Sequence, residues 1–64
     1  MTHITLGNLI IDDGGDAGIV SLIETDKEGT LYFVLWTSGG LTGYTTAHKP
    51  KQIMRWTKNV RSTT

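Results

Sequence analysis

The 64-residue chain has room for one domain, and at that size only about 60% of the surface exposed on unfolding is buried, so its core must be thin. The absence of cysteine excludes disulfides and a thiolate zinc site as staples, which leaves barrel closure or self-association to supply what the core lacks. Formal net charge is zero, yet residues 1–32 carry all six acids against Lys27 alone, while residues 33–64 carry Lys49, Lys51, Arg55, Lys58 and Arg61 and no acid. That asymmetry reads either as a basic binding surface or as strands from the two halves neutralising each other.

In chain order, Met1-Thr2-His3-Ile4-Thr5 lacks the basic region and apolar run of a signal peptide, and residues 1–6 read as an N-terminal arm. Gly7 to Asp12 forms a first strand, stopped by the dense turn signal Asp13-Gly14-Gly15-Asp16. Gly18 to Glu24 is a second strand, with Val20 and Leu22 alternating with Ser21, and it ends in the polar hairpin loop Thr25 to Gly29. Leu31 to Trp36 is the most apolar segment. Tyr32, Val34 and Trp36 point to one face and Leu31, Phe33 and Leu35 to the other, so both faces want cover and the strand is expected to be central, with Trp36 and Phe33 inside. Ser38-Gly39-Gly40 turns the chain into a short strand, Leu41 to Thr46, whose Gly43 suggests a bulge. Residues 48–52 suit a single helical turn entered through Pro50, Ile53 to Trp56 a closing strand, and residues 59–64 a frayed tail.

Five short strands without sustained 3.6-residue periodicity predict an all-β fold, a small five-stranded barrel spanning residues 7–58, because closure removes exposed edges. No apolar run approaches the ~20 residues of a membrane span, and the expected compartment is the cytoplasm.

The element order resembles the Src-homology-3-like barrels. Gly7-Asn8-Leu9-Ile10 followed by Gly18-Ile19-Val20 looks like a KOW-type opening, with one glycine starting the strand and another allowing a close crossing. Val34-Leu35-Trp36-Thr37-Ser38-Gly39-Gly40, Gly43-Tyr44 and Ile53-Met54 are similar to small barrel proteins of tailed bacteriophages, a likeness covering residues 7–57. It implies a fold, and a host cytoplasm or virion as the setting, more than it implies an activity. Asp13 and Asp16 depart from nucleic-acid-binding KOW modules, whose first loop favours basic residues facing phosphate.

Catalysis is not expected, because the only histidines are His3 near the N-terminus and His48 beside a lysine-rich turn, and one copy shows no complete set of nucleophile, base and orienting group. The same scatter argues against a metal site, the aspartate loop lacks the spacing of a calcium-binding EF-hand, and neither glycine-rich turn precedes the lysine and helix of a phosphate cradle. No cofactor and no small-molecule substrate are expected.

Two binding readings remain. In the first, Tyr44, Arg55 and Trp56 form an exposed aromatic and basic surface for a host or virion protein, or for further copies of the chain. In the alternative, Lys49, Lys51, Arg55 and Lys58 contact nucleic-acid phosphates weakly while Tyr44 or Trp56 stacks on bases.

Overall fold

The computed structural model describes residues 4–62, and side chains for residues 4–60. His3 and Thr63 to Thr64 therefore lie outside the described residues. The fold is mostly β: strands β1 (Leu9–Ile11), β2 (Ala17–Asp26), β3 (Gly29–Trp36) and β4 (Thr45–His48), then helix α1 (Pro50–Ser62). The strands form one antiparallel sheet in the order β1-β2-β3-β4, each paired to the next in sequence. Two corrections follow. Among the described residues there are four strands rather than five, and the sheet is open rather than closed into a barrel.

Both corrections trace to residues 50–62. As a strand, Ile53 and Trp56 would point to opposite faces. As a helix, Ile53, Trp56, Thr57 and Val60 share one face at spacings of three and four, and Ile53, Trp56 and Thr57 are all buried. Local chemistry agrees with the helix. Pro50 occupies its first position, where no N–H is needed, and the Lys49 carbonyl accepts the N–H groups of Gln52 (3.1 Å) and Ile53 (3.2 Å). Lysine, glutamine, methionine and arginine are good helix formers, and the Thr57 hydroxyl is satisfied by donating to the Met54 carbonyl at 2.8 Å. The expected turn at residues 48–52 is thus the entrance to a 13-residue helix, which runs through Asn59 to Ser62 where a polar tail was expected. The Asn59 amide anchors it by donating to the Ile11 carbonyl at 2.9 Å.

The helix covers one face of the sheet. Beneath it lie Ile10, Val20, Val34 and Trp36, which with Ile53 and Trp56 form the core, while Ile4, Ile23 and Tyr32 pack at its margin. Cα extents of 33 × 28 × 17 Å fit two layers, one sheet and one helix.

A bulge decides which residues go in. The β2–β3 register shifts between Val20 and Leu22, so Ser21 is the extra residue and its hydroxyl donates to the Phe33 carbonyl at 3.3 Å. Val20 pairs with Val34 on the helix side, whereas Leu22 pairs with Phe33 on the opposite side and Ile23 with Tyr32 back on the helix side. Val20 and Leu22, expected on one face, are separated.

Gly18 lies inside the sheet opposite Trp36, where an added Cβ would stand 2.5 Å from Val34 Cγ1 and 3.1 Å from Trp36 Cε3. The turn after β3 is docked on the β1–β2 loop: Ser38 Oγ accepts the Ala17 N–H at 2.8 Å, and the Thr37 N–H donates to the Ala17 carbonyl at 2.9 Å. Gly39, at φ 84°, has the Asp16 carboxylate where its Cβ would be, so this close approach and this dihedral both demand glycine. Across the loop, Asp12 Oδ1 accepts the N–H groups of Gly14 and Asp16, each at 2.9 Å, which makes the aspartate–glycine run a self-bonded turn.

Candidate interaction surfaces

Tyr44, Arg55 and Trp56 do not form one surface. Trp56 is 6% exposed and belongs to the core, with its ring edge-on to Trp36 (centroids 5.5 Å apart) and to His48 (4.6 Å). Its Nε1 is buried without a hydrogen-bond partner among the described residues. The expectation of an exposed Trp56 assumed a strand in which it alternated with Arg55, and the helix turns it inward. Tyr44 is exposed in the β3–β4 connection, where its backbone carbonyl accepts the Trp36 N–H at 3.0 Å. Arg55 lies on the solvent side of α1, its Nε 3.1 Å from Asp13 Oδ1, and both side chains are more than half exposed, so the pair contributes at most about 1 kcal/mol.

The basic residues do gather. Lys49, Lys51 and Arg55 line one shallow cleft with Asp13 and Gln52, and Lys51, Arg55 and Lys58 follow one another on successive turns of the helix away from the core. Charge across the fold is therefore segregated. Lys49, Lys51, Arg55 and Lys58 stand on or just before the helix, and the acids in the β1–β2 loop and around the β2–β3 hairpin, which also holds Lys27; the two sets meet at Asp13–Arg55 and in a cleft that Lys49 shares with Glu24, Asp26 and Glu28.

Between sheet and helix runs a chain of polar groups. Trp36 Nε1 donates to Thr46 Oγ1 at 2.7 Å, Thr46 Oγ1 lies 2.6 Å from His48 Nε2, and His48 Nδ1 lies 2.9 Å from Gln52 Oε1. With Nδ1–H donating to the Gln52 carbonyl oxygen and Nε2 hydrogen-bonded to the Thr46 hydroxyl, every member of the chain has a partner. The arrangement ties β4 to the first turn of α1, and it contains no carboxylate to orient the imidazole for base catalysis. Among the described residues no three histidine, cysteine, aspartate or glutamate side chains come together to hold a metal ion.

The largest unassigned feature is the sheet face opposite the helix. Leu9 pairs with Ile19, Ile19 with Leu35 and Leu35 with Thr45 in one row; Leu22, Phe33 and Ala47 make the next; Glu24 and Leu31 make a third. Leu9 and Leu22 are each 46% exposed, and Ile19, Leu31 and Leu35 between 37% and 39%. The sequence signal was the doubly apolar β3, which demanded cover on both sides. Among the described residues only one side receives it.

Among the described residues no helix is long and apolar enough to cross a membrane. No protein-family model, curated protein or solved structure matches this chain.

Proposed function

We propose that the protein is a non-enzymatic interaction module that docks on another protein surface through the outer face of its sheet. One observation carries the reading: a row-ordered set of leucine, isoleucine and phenylalanine side chains that the helix does not cover. Four strands about 4.8 Å apart and about six residues at roughly 3.4 Å each give an area on the order of 400 Å². A patch of that size matches the largest apolar patch of a typical monomer, which is often a functional one. The likeness of residues 7–57 to small phage proteins adds a host or virion protein, or a further copy of the chain, as the class of partner. Of the three residues first expected to bind, Tyr44 and Arg55 remain exposed at other parts of the surface and Trp56 works through the core.

The test is site-specific photo-crosslinking in cells that express the protein, with p-benzoylphenylalanine in place of Leu35 and, as control, in place of Lys51. Adducts are expected from the Leu35 position and not from the helix. Equal yields at both positions, or none at either, would mean that the outer face is not a docking surface.

A second reading is favoured by the helix: Lys51, Arg55 and Lys58 on successive turns, with Lys49 at its start, form a stripe suited to phosphates. Three phosphate contacts on a single strand would cost about 20-fold in affinity between 50 and 200 mM salt. Fluorescence anisotropy with a single-stranded oligonucleotide should show that slope, and replacing Lys49 and Lys51 by alanine should flatten it. A protein that leaves the oligonucleotide unbound at low salt refutes this second reading.

A further inference from the structure

A sheet covered on one side and apolar on the other is half of a sandwich, and the chemistry of the bare side says what completes it. Its exposed side chains are leucine and isoleucine around one phenylalanine, with no tyrosine, tryptophan or arginine among them. Surfaces that meet a distinct, exchangeable partner concentrate their binding energy in tryptophan, tyrosine and arginine, and leucine is under-represented there. Faces that pair with their own copy are more apolar and resemble a domain core cut in half.

On that ground, and resting on the reading of the outer face as the docking surface, we infer that its occupant is a second copy of this chain, the two sheets stacking face to face. The result is a four-layer arrangement of helix, sheet, sheet and helix, with the sheets about 10 Å apart. Size sets its strength. Two faces on the order of 400 Å² each bury about 800 Å², below the roughly 1,000 Å² of a stable interface, which makes the pair a weak, concentration-dependent one.

Charge selects the orientation. Glu24 and Asp26 are the charged residues that β2 contributes to this face, both at the β2–β3 hairpin end, where they and Glu28 line a cleft with Lys49, which leaves an acidic excess at that end. A two-fold axis parallel to the strands would bring the acidic ends of both copies together. An axis across the strands sends them to opposite ends, where they stay in water while the apolar rows overlap. A two-fold contact of this kind is closed, so it stops at two chains. The basic helices then face outward on both sides.

The test combines mass with geometry. Sedimentation equilibrium and light scattering should give twice the 7.0 kDa of one chain at high protein concentration, with a thermal midpoint that rises as concentration rises. Leu35→Glu should weaken self-association by at least about tenfold with the circular dichroism spectrum intact, and Leu22→Lys should repeat that result if Leu35→Glu fails to fold. Because the chain has no cysteine, single-cysteine variants report cleanly. A short bismaleimide should link Leu22→Cys to its own copy and leave Lys27→Cys, at the hairpin tip, unlinked. A wild-type chain that stays monomeric at every concentration overturns the second copy as occupant, while Leu35 photo-adducts to a different protein would still uphold the face itself. A dimer that withstands both Leu35→Glu and Leu22→Lys overturns both. Linkage through Lys27→Cys in place of Leu22→Cys overturns the orientation.

Discussion

Trp56→Ala is expected to abolish cooperative folding rather than to leave a folded protein unable to bind. Trp56 is 6% exposed, stands edge-on to Trp36 and His48, and joins Ile53 as one of the two core residues that α1 supplies. Truncating a buried tryptophan to alanine costs about 3–5 kcal/mol, and a domain of this size draws about the same total from its core. Far-UV circular dichroism with urea titration should show a lost or strongly shifted transition. Trp56→Phe is the informative partner variant, because it keeps an aromatic ring and removes the buried N–H that has no partner among the described residues. Its cost should stay below about 2 kcal/mol. A Trp56→Ala chain that melts like wild type would remove Trp56 from the core and return it to the surface.

Gly18→Ala is expected to be strongly destabilising, although it adds one methyl group. The new Cβ would meet Val34 Cγ1 at 2.5 Å, Trp36 Cε3 at 3.1 Å and the Leu35 carbonyl oxygen at 3.3 Å. Two of these neighbours are core side chains and the third is backbone of the paired strand, so none can swing aside as an exposed side chain would. Overpacking of this kind costs about 1–3 kcal/mol, and each kilocalorie lowers the melting midpoint of a domain this small by roughly 4–8 °C. Gly14→Ala is the matched control. Its Cβ would find Asp12 Oδ1 at 3.5 Å, an ordinary contact, and its stability should change by no more than about 0.5 kcal/mol. Equal melting of the two variants would show that the close crossing of β2 and β3 at Gly18 is not as described.

The sequence reading and the structure agree where local signals are strong. Asp12 to Asp16, Asp26 to Gly29 and Ser38 to Gly40 are turns, β1 to β3 lie where β-branched and aliphatic runs predicted them, and β3 has an apolar residue on each face at nearly every position. Trp36 is buried, as expected. Phe33 is not central to the core but half-buried on the outer face, which the described residues leave without cover.

Residues 53–56 were open to both periods: four residues with apolar side chains at the first, second and fourth positions fit a strand or a helix about equally well. What separates the two is Val60 and Thr57, which extend the stripe at helical spacing, and the need of an open sheet for a covering layer. The candidate surfaces follow from which of the two periods holds. A strand puts Trp56 beside Arg55 on alternating faces, whereas a helix buries Trp56 and lines Lys51, Arg55 and Lys58 along water.

Composition and order along the chain thus determined the turns, the antiparallel neighbours, the doubly apolar third strand and the separation of acids from bases, because each depends on residues a few positions apart. Tertiary structure alone decided that residues 50–62 form a helix, that Ser21 bulges and sends Leu22 to the outer face, and that the sheet stays open. Those outcomes depend on which distant apolar groups can be buried together, a balance that no short window of sequence contains.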